Sequence, residues 1–126
     1  MSVFEEYVNN LKAEYQVTEK QQGEFLTIIF TIADSEGLIT IAVSGRTAGT
    51  PERVTVRAIK AVESKDEYLS KCNDFNSQST GIIAFVDKNK IVTSCTLVDP
   101  TVAKINDMVG KLSVVNSYVR SRKGDR

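Results

Sequence analysis

The residue types that do most of the chemistry in small enzymes are scarce in this sequence. There is no histidine, which removes the commonest general base and metal ligand at neutral pH, and with it every triad built on imidazole. Cys72 and Cys95 are the only thiols. Neither belongs to a Cys-x-x-Cys pair and each falls inside a predicted regular element, so they read as reduced, buried thiols rather than a metal, redox or disulfide pair. Ser44 sits in Val-Ser-Gly-Arg, not in the Gly-x-Ser-x-Gly elbow that exposes a nucleophilic serine. The acid pairs Glu5-Glu6 and Asp66-Glu67 stand near predicted helix starts, where the helix dipole alone favours carboxylates. These side chains predict a protein without catalytic residues, metal or cofactor; a small enzyme with an unrecognised site is the alternative they leave open.

Two features suggest binding. The stretch Gly45-Arg46-Thr47-Ala48-Gly49-Thr50-Pro51 has the glycines and arginine of a phosphate cradle. It lacks the Gly-Lys-Ser/Thr ending and leads into a strand rather than a helix, so it reads as a mobile strand connection. Around it Arg46, Arg53, Arg57 and Lys60 outweigh Glu52. Arg53 and Arg57, four residues apart in a strand, share one face and make a basic stripe that could receive an acidic peptide or keep a sheet edge soluble. Arg46, Arg53 and Arg57 are the candidate partner-binding residues. No exposed aromatic is interleaved with them in this reading, so nucleic acid is not an expected partner.

The elements that position these residues follow from periodicity. With 126 residues, of which 41% are apolar and 25% charged, the chain has the size and composition of one globular domain spanning residues 1–126. Lysine and arginine number 16, matched by 16 acids, so no overall field draws it to nucleic acid or to an anionic membrane. The opening Met-Ser-Val-Phe-Glu-Glu lacks the features of a secretory signal and no apolar run suits a membrane span, which predicts a cytoplasmic protein.

Ser2 and Glu5 have capping-box spacing, and Phe4, Tyr7, Val8, Leu11 and Tyr15 recur as an apolar stripe, which predicts a helix from Val3 to Glu19. Alternation then predicts strands over 24–33, 38–44 and 53–61, the first two joined as a hairpin through Asp34-Ser35-Glu36-Gly37. Ser64 and Glu67 repeat the capping-box spacing before a short helix that ends near Asn76-Ser77-Gln78-Ser79. Residues 81–86 and 91–98 predict a second hairpin. Asp99 as N-cap and Pro100 at the first helical position predict a last helix with the stripe Ile105, Met108, Val109, Leu112, Val115 and Val119. Arg120, Arg122 and Lys123 complement its negative end, and the final Lys-Gly-Asp-Arg is expected to fray. The expected fold is α+β, with a five-stranded antiparallel sheet, helices packed on it, and the order α-β-β-β-α-β-β-α. Part of the last stripe overhangs so small a sheet, which makes Leu112, Val115, Tyr118 and Val119 candidates for a homodimer interface.

The order of elements, together with the passage Cys72-Asn73-Asp74-Phe75-Asn76-Ser77-Gln78-Ser79-Thr80-Gly81-Ile82-Ile83-Ala84-Phe85-Val86-Asp87, resembles the YbjN family, in which Asn73 and Asn76 match recurring asparagines. That family in turn is similar to the class I type III secretion chaperones. The resemblance implies a dimeric, non-enzymatic regulator or chaperone-like adaptor that binds extended segments of protein clients. A second resemblance, to profilins, rests on Ser2, on Tyr-Val-x-Asn-Leu at positions 7–11 and on the long last helix. It implies actin or proline-rich-peptide binding, with Phe4 near the groove position.

Overall fold

The elements run in the order α1 (Val3–Glu14), β1 (Thr18–Gln22), β2 (Phe25–Asp34), β3 (Gly37–Arg46), β4 (Arg53–Ala61), α2 (Lys65–Gln78), β5 (Ile83–Asp87), β6 (Lys90–Val98) and α3 (Val102–Ser121). They are seen in a computed structural model that describes residues 2–46, 51–63 and 65–121. Ser64 of the second predicted capping box, residues 47–50 of the glycine loop, and Arg122 with the tail after it lie outside the described residues. All pairings are antiparallel, in the spatial order β1-β2-β3-β4-β6-β5.

The architecture is α+β as expected, but the sheet has six strands instead of five and the element order gains a strand ahead of β2. The extra strand lies where the first helix was expected to continue. Helix α1 stops at Glu14 because Tyr15 turns extended, at φ −128° and ψ 152°, and its ring packs on Phe30 with centroids 5.3 Å apart. Val17 and Thr18 are β-branched, and beyond them Thr18-Glu19-Lys20-Gln21-Gln22 has no apolar residue to bury on a helix face. Gly23, at φ +61°, reverses the chain so that this polar segment pairs with β2 as an edge strand.

Helix α1 begins as its spacing predicts. The Glu5 N–H donates to Ser2 Oγ at 3.1 Å and the Ser2 N–H to Glu5 Oε1 at 3.0 Å. A further carboxylate arrives from far along the chain, since the Val3 and Phe4 N–H groups donate to Glu52 at 3.4 and 2.7 Å. Phe4 reaches the sheet at Gly45, where an added Cβ would stand 2.8 Å from the ring. Close helix–sheet approach is therefore the reason for glycine there.

The last helix starts later than expected. Thr101 caps it, accepting the Lys104 N–H at 3.1 Å. Asp99 instead has φ +48° and ties two strand ends together: its Oδ1 accepts the Glu52 N–H at 2.9 Å and its own N–H donates to the Glu52 carbonyl at 2.7 Å. With its side chain committed to β4, Asp99 cannot cap a helix.

All three helices pack on one face. Ile28, Phe30, Ile39, Ile41, Val43, Val54 and Val56 meet Phe4, Tyr7, Leu11, Ile105 and Leu112 in the main core, and Cys72, Ala84, Ile91 and Val119 form a smaller cluster under α2. Both cysteines are buried and free, as read from sequence. Burial pushes both thiols up, away from the thiolate form that reacts.

Candidate functional site

Among the described residues no helix lies on the opposite face of the sheet. Strand alternation brings Phe25, Thr27 and Ile29 of β2, Ser44 and Arg46 of β3, Arg53, Thr55 and Arg57 of β4, and Thr96 of β6 to this open face, in register with one another. The sequence-predicted residues Arg46, Arg53 and Arg57 thus share one surface. Arg53 and Arg57 stand roughly 13 Å apart along their strand. Strand β4 lies between β3 and β6, so the stripe does not guard a sheet edge, which was one of its two expected uses.

Arg46 and Arg53 meet in an open trough of about 480 Å³ lined also by Phe25, Ser44, Thr55 and Thr96; Arg57 lies outside it. Arg46 donates to Glu24 at 2.8 Å and its guanidinium stands 5.8 Å from the centre of the Phe25 ring. Phe25 is 54% exposed. The premise used against nucleic acid, that no exposed aromatic lies among these charges, therefore fails in the fold. Hydroxyls run across the trough in two hydrogen-bonded pairs, Thr27 with Ser44 at 2.8 Å and Thr55 with Thr96 at 3.0 Å.

A second polar constellation lies beneath the helices and was not anticipated. Asn116 is fully buried inside the apolar stripe of α3. Its amide N–H₂ donates to the Ala58 and Ile91 carbonyls at 2.9 and 3.1 Å, and its oxygen accepts Arg120 Nε at 2.8 Å. Arg120 also reaches Asp34 at 3.0 Å and pairs with Glu36. Lys60 donates to Asp34 at 3.1 Å and to the Leu38 carbonyl at 2.6 Å. Burial pushes the Asp34 carboxyl up, but the Glu36 N–H, the Lys60 ammonium and the Arg120 guanidinium outweigh it and hold the group below its ordinary value. Arg120 thus serves the buried carboxylate of Asp34 and the exposed one of Glu36 rather than the helix end. The signal in the sequence was Asn116 itself, a polar residue at a buried position of the stripe. A concavity of about 380 Å³ opens beside this cluster, lined by Glu36, Lys60, Glu63, Glu67, Tyr68 and Arg120. Glu36, Lys60, Glu67 and Arg120 are already ion-paired.

The predicted dimer residues separate. Leu112 and Val119 are wholly buried in the chain's own core, so they are not on offer to a second copy: α3 turns those positions toward the sheet. Val115 is half-buried and Tyr118 is 55% exposed. Both border a groove of about 330 Å³ against Phe75 of α2, and Val114 stands exposed beside them. Phe4, the aromatic at the profilin groove position, is wholly buried under Gly45 and cannot line an outer groove. Among the described residues no group of three or more acids or cysteines is placed to hold a metal ion, and no helix is long and apolar enough to cross a membrane. No family model and no curated protein matches this sequence.

Proposed function

We propose that this chain is a non-enzymatic protein-binding module, a YbjN-like regulator or chaperone-like adaptor, that takes an extended acidic segment of its client on the open face of the sheet. One observation carries the reading. In a chain of zero net charge, Arg53 and Arg57 stand on the uncovered face with no ion pair among the described residues, and Arg53 shares a trough with the exposed ring of Phe25. Unpaired guanidiniums with an apolar neighbour suit carboxylates on a chain lying across the strands, where charge supplies orientation and the apolar surface supplies affinity. The exposed strip of α3, Val114 and Tyr118 flanking half-buried Val115, is the surface through which two copies pair in this reading.

Fluorescence anisotropy with a short acidic peptide tests it. Reversing both charges, Arg53→Glu with Arg57→Glu, is expected to weaken binding at least about tenfold and to leave the melting temperature unchanged. Affinity for the wild type should fall as salt rises. Equal affinity of the two proteins for the peptide would end this reading.

A further inference from the structure

We infer that the trough between Arg46 and Arg53 is a phosphoryl subsite, and that the client segment presents a phosphorylated side chain to it. The inference rests on the peptide-binding reading above and names the chemistry that the trough selects. A carboxylate is satisfied by one guanidinium fork. The trough offers more than that: Arg53 has no ion pair among the described residues, and the ion pair of Arg46 with Glu24 is a surface one, its two side chains 45% and 59% exposed. Pairs of that kind are weak and yield readily to a stronger anion.

The hydroxyls add neutral donors. In each hydrogen-bonded pair, Thr27 with Ser44 and Thr55 with Thr96, one O–H is used within the pair and the other remains free to donate. Two cations and the hydroxyls of Ser44, Thr55 and Thr96 around an open volume of about 480 Å³ match a dianion with three acceptor oxygens, which a phosphorylated serine or threonine carries at neutral pH. The ring of Phe25, against which Arg46 lies, walls one side. Arg57, outside the trough on the same strand face, is left for an acidic residue elsewhere in the segment.

The test titrates isotope-labelled full-length protein with four probes: an acidic peptide containing one serine, the same peptide phosphorylated, inorganic phosphate, and a single-stranded oligonucleotide of similar length. The phosphopeptide is expected to bind about tenfold tighter than its unphosphorylated form, with amide shifts centred on Ser44, Thr55 and Thr96. Arg53→Gln should abolish that preference while binding of the unphosphorylated peptide through Arg57 persists, and Thr96→Val should reduce it. Equal binding of the two peptides overturns the phosphoryl subsite and leaves the acidic-peptide reading standing. Failure of both peptides overturns both. Tighter binding of the oligonucleotide, or saturation by inorganic phosphate with no gain for the phosphopeptide, overturns the assignment to a phosphorylated protein segment.

Discussion

The side chain of Asn76 pairs with the backbone of Ala84 as a neighbouring strand would: its amide donates to the Ala84 carbonyl and its oxygen accepts the Ala84 N–H, both at 2.7 Å. Ala84 lies on β5, the last strand of the sheet, where backbone groups pointing outward have no strand to meet. Helix α2 thus seals one edge of the sheet with a single residue.

Replacing Asn76 by Ala should cost about 1–2 kcal/mol, the loss of two hydrogen bonds partly offset by water. Urea unfolding measures it, and the variant should scatter more light at high concentration because the β5 edge is freed.

Asn116→Ala is expected to be more damaging, by about 3 kcal/mol, because it removes the amide donor to the Ala58 and Ile91 carbonyls, takes away the partner of Arg120 Nε and leaves a gap in a buried site. A double-mutant cycle with Arg120→Ala should give a coupling of about 1–3 kcal/mol, since the two residues share one network. Additive losses would show the network to be independent contacts.

The Asp34 cluster gives a pH dependence of definite sign. Its carboxyl titrates below the ordinary value of 3.8 in the folded chain, so the unfolded chain takes up the proton first as pH falls. The stabilisation is full above that ordinary value and is lost as pH drops through the lower folded value. Thermal melts from about pH 6 down to about pH 2 should show this loss. Asp34→Asn should remove that acid-dependent part and should be destabilised near neutrality, because it leaves Arg120, 5% exposed at its side chain, short of a buried partner.

Gly45→Ala places a methyl against the Phe4 ring, which the core holds on its other sides, and should cost about 1–3 kcal/mol. Shrinking the ring should recover part of that loss: in denaturant melts, Phe4→Leu ought to be less harmful in the Gly45→Ala background than in the wild type.

The α3 positions separate folding from pairing. Val119→Asp buries an unpaired charge in the core and should unfold the chain or cost more than about 3 kcal/mol. Val114→Asp, on the exposed strip, should leave the melt unchanged and shift the mass measured by light scattering toward one copy. A wild type that is monomeric at high concentration would remove the pairing surface.

Local signals were legible where one stretch of chain decides the outcome. The capping box of Ser2 and Glu5, the hairpin turns near Asp34–Gly37 and at Asp87–Lys90, and the common face of Arg53 and Arg57 all follow from spacing alone. Strand β1 was hidden because every residue in it is exposed and polar, so it has no hydrophobic alternation to betray it. The Asp99-Pro100 pair looked like a helix start because its real partner, the Glu52 backbone, is remote in sequence. The same holds for the site. Whether β4 is interior or an edge, and whether Leu112 or Tyr118 faces out, depends on strand order and on the rotation of α3, which long-range packing sets. The trough needed Phe25 and Arg53 to be brought across two strand pairings, and no spacing rule carries that.

Zero net charge is a sum over the molecule, and here the sum conceals a separation. Lys20, Arg46, Arg53 and Arg57 lie on the open side of the sheet, with Glu24 paired to Arg46. On the helical side Glu5, Glu6 and Glu14 of α1 and Asp66, Glu67, Asp74 and Asp107 of α2 and α3 outnumber Lys12, Lys71, Lys104, Lys111 and Arg120. The excess on each side has opposite sign, so among the described residues the protein has a dipole that turns in a field. Near an anionic surface at low ionic strength it should arrive sheet-first, and it should be retained by a cation exchanger at a pH where its charge is nil, letting go over the modest rise in salt that shortens the screening length to the size of the patch.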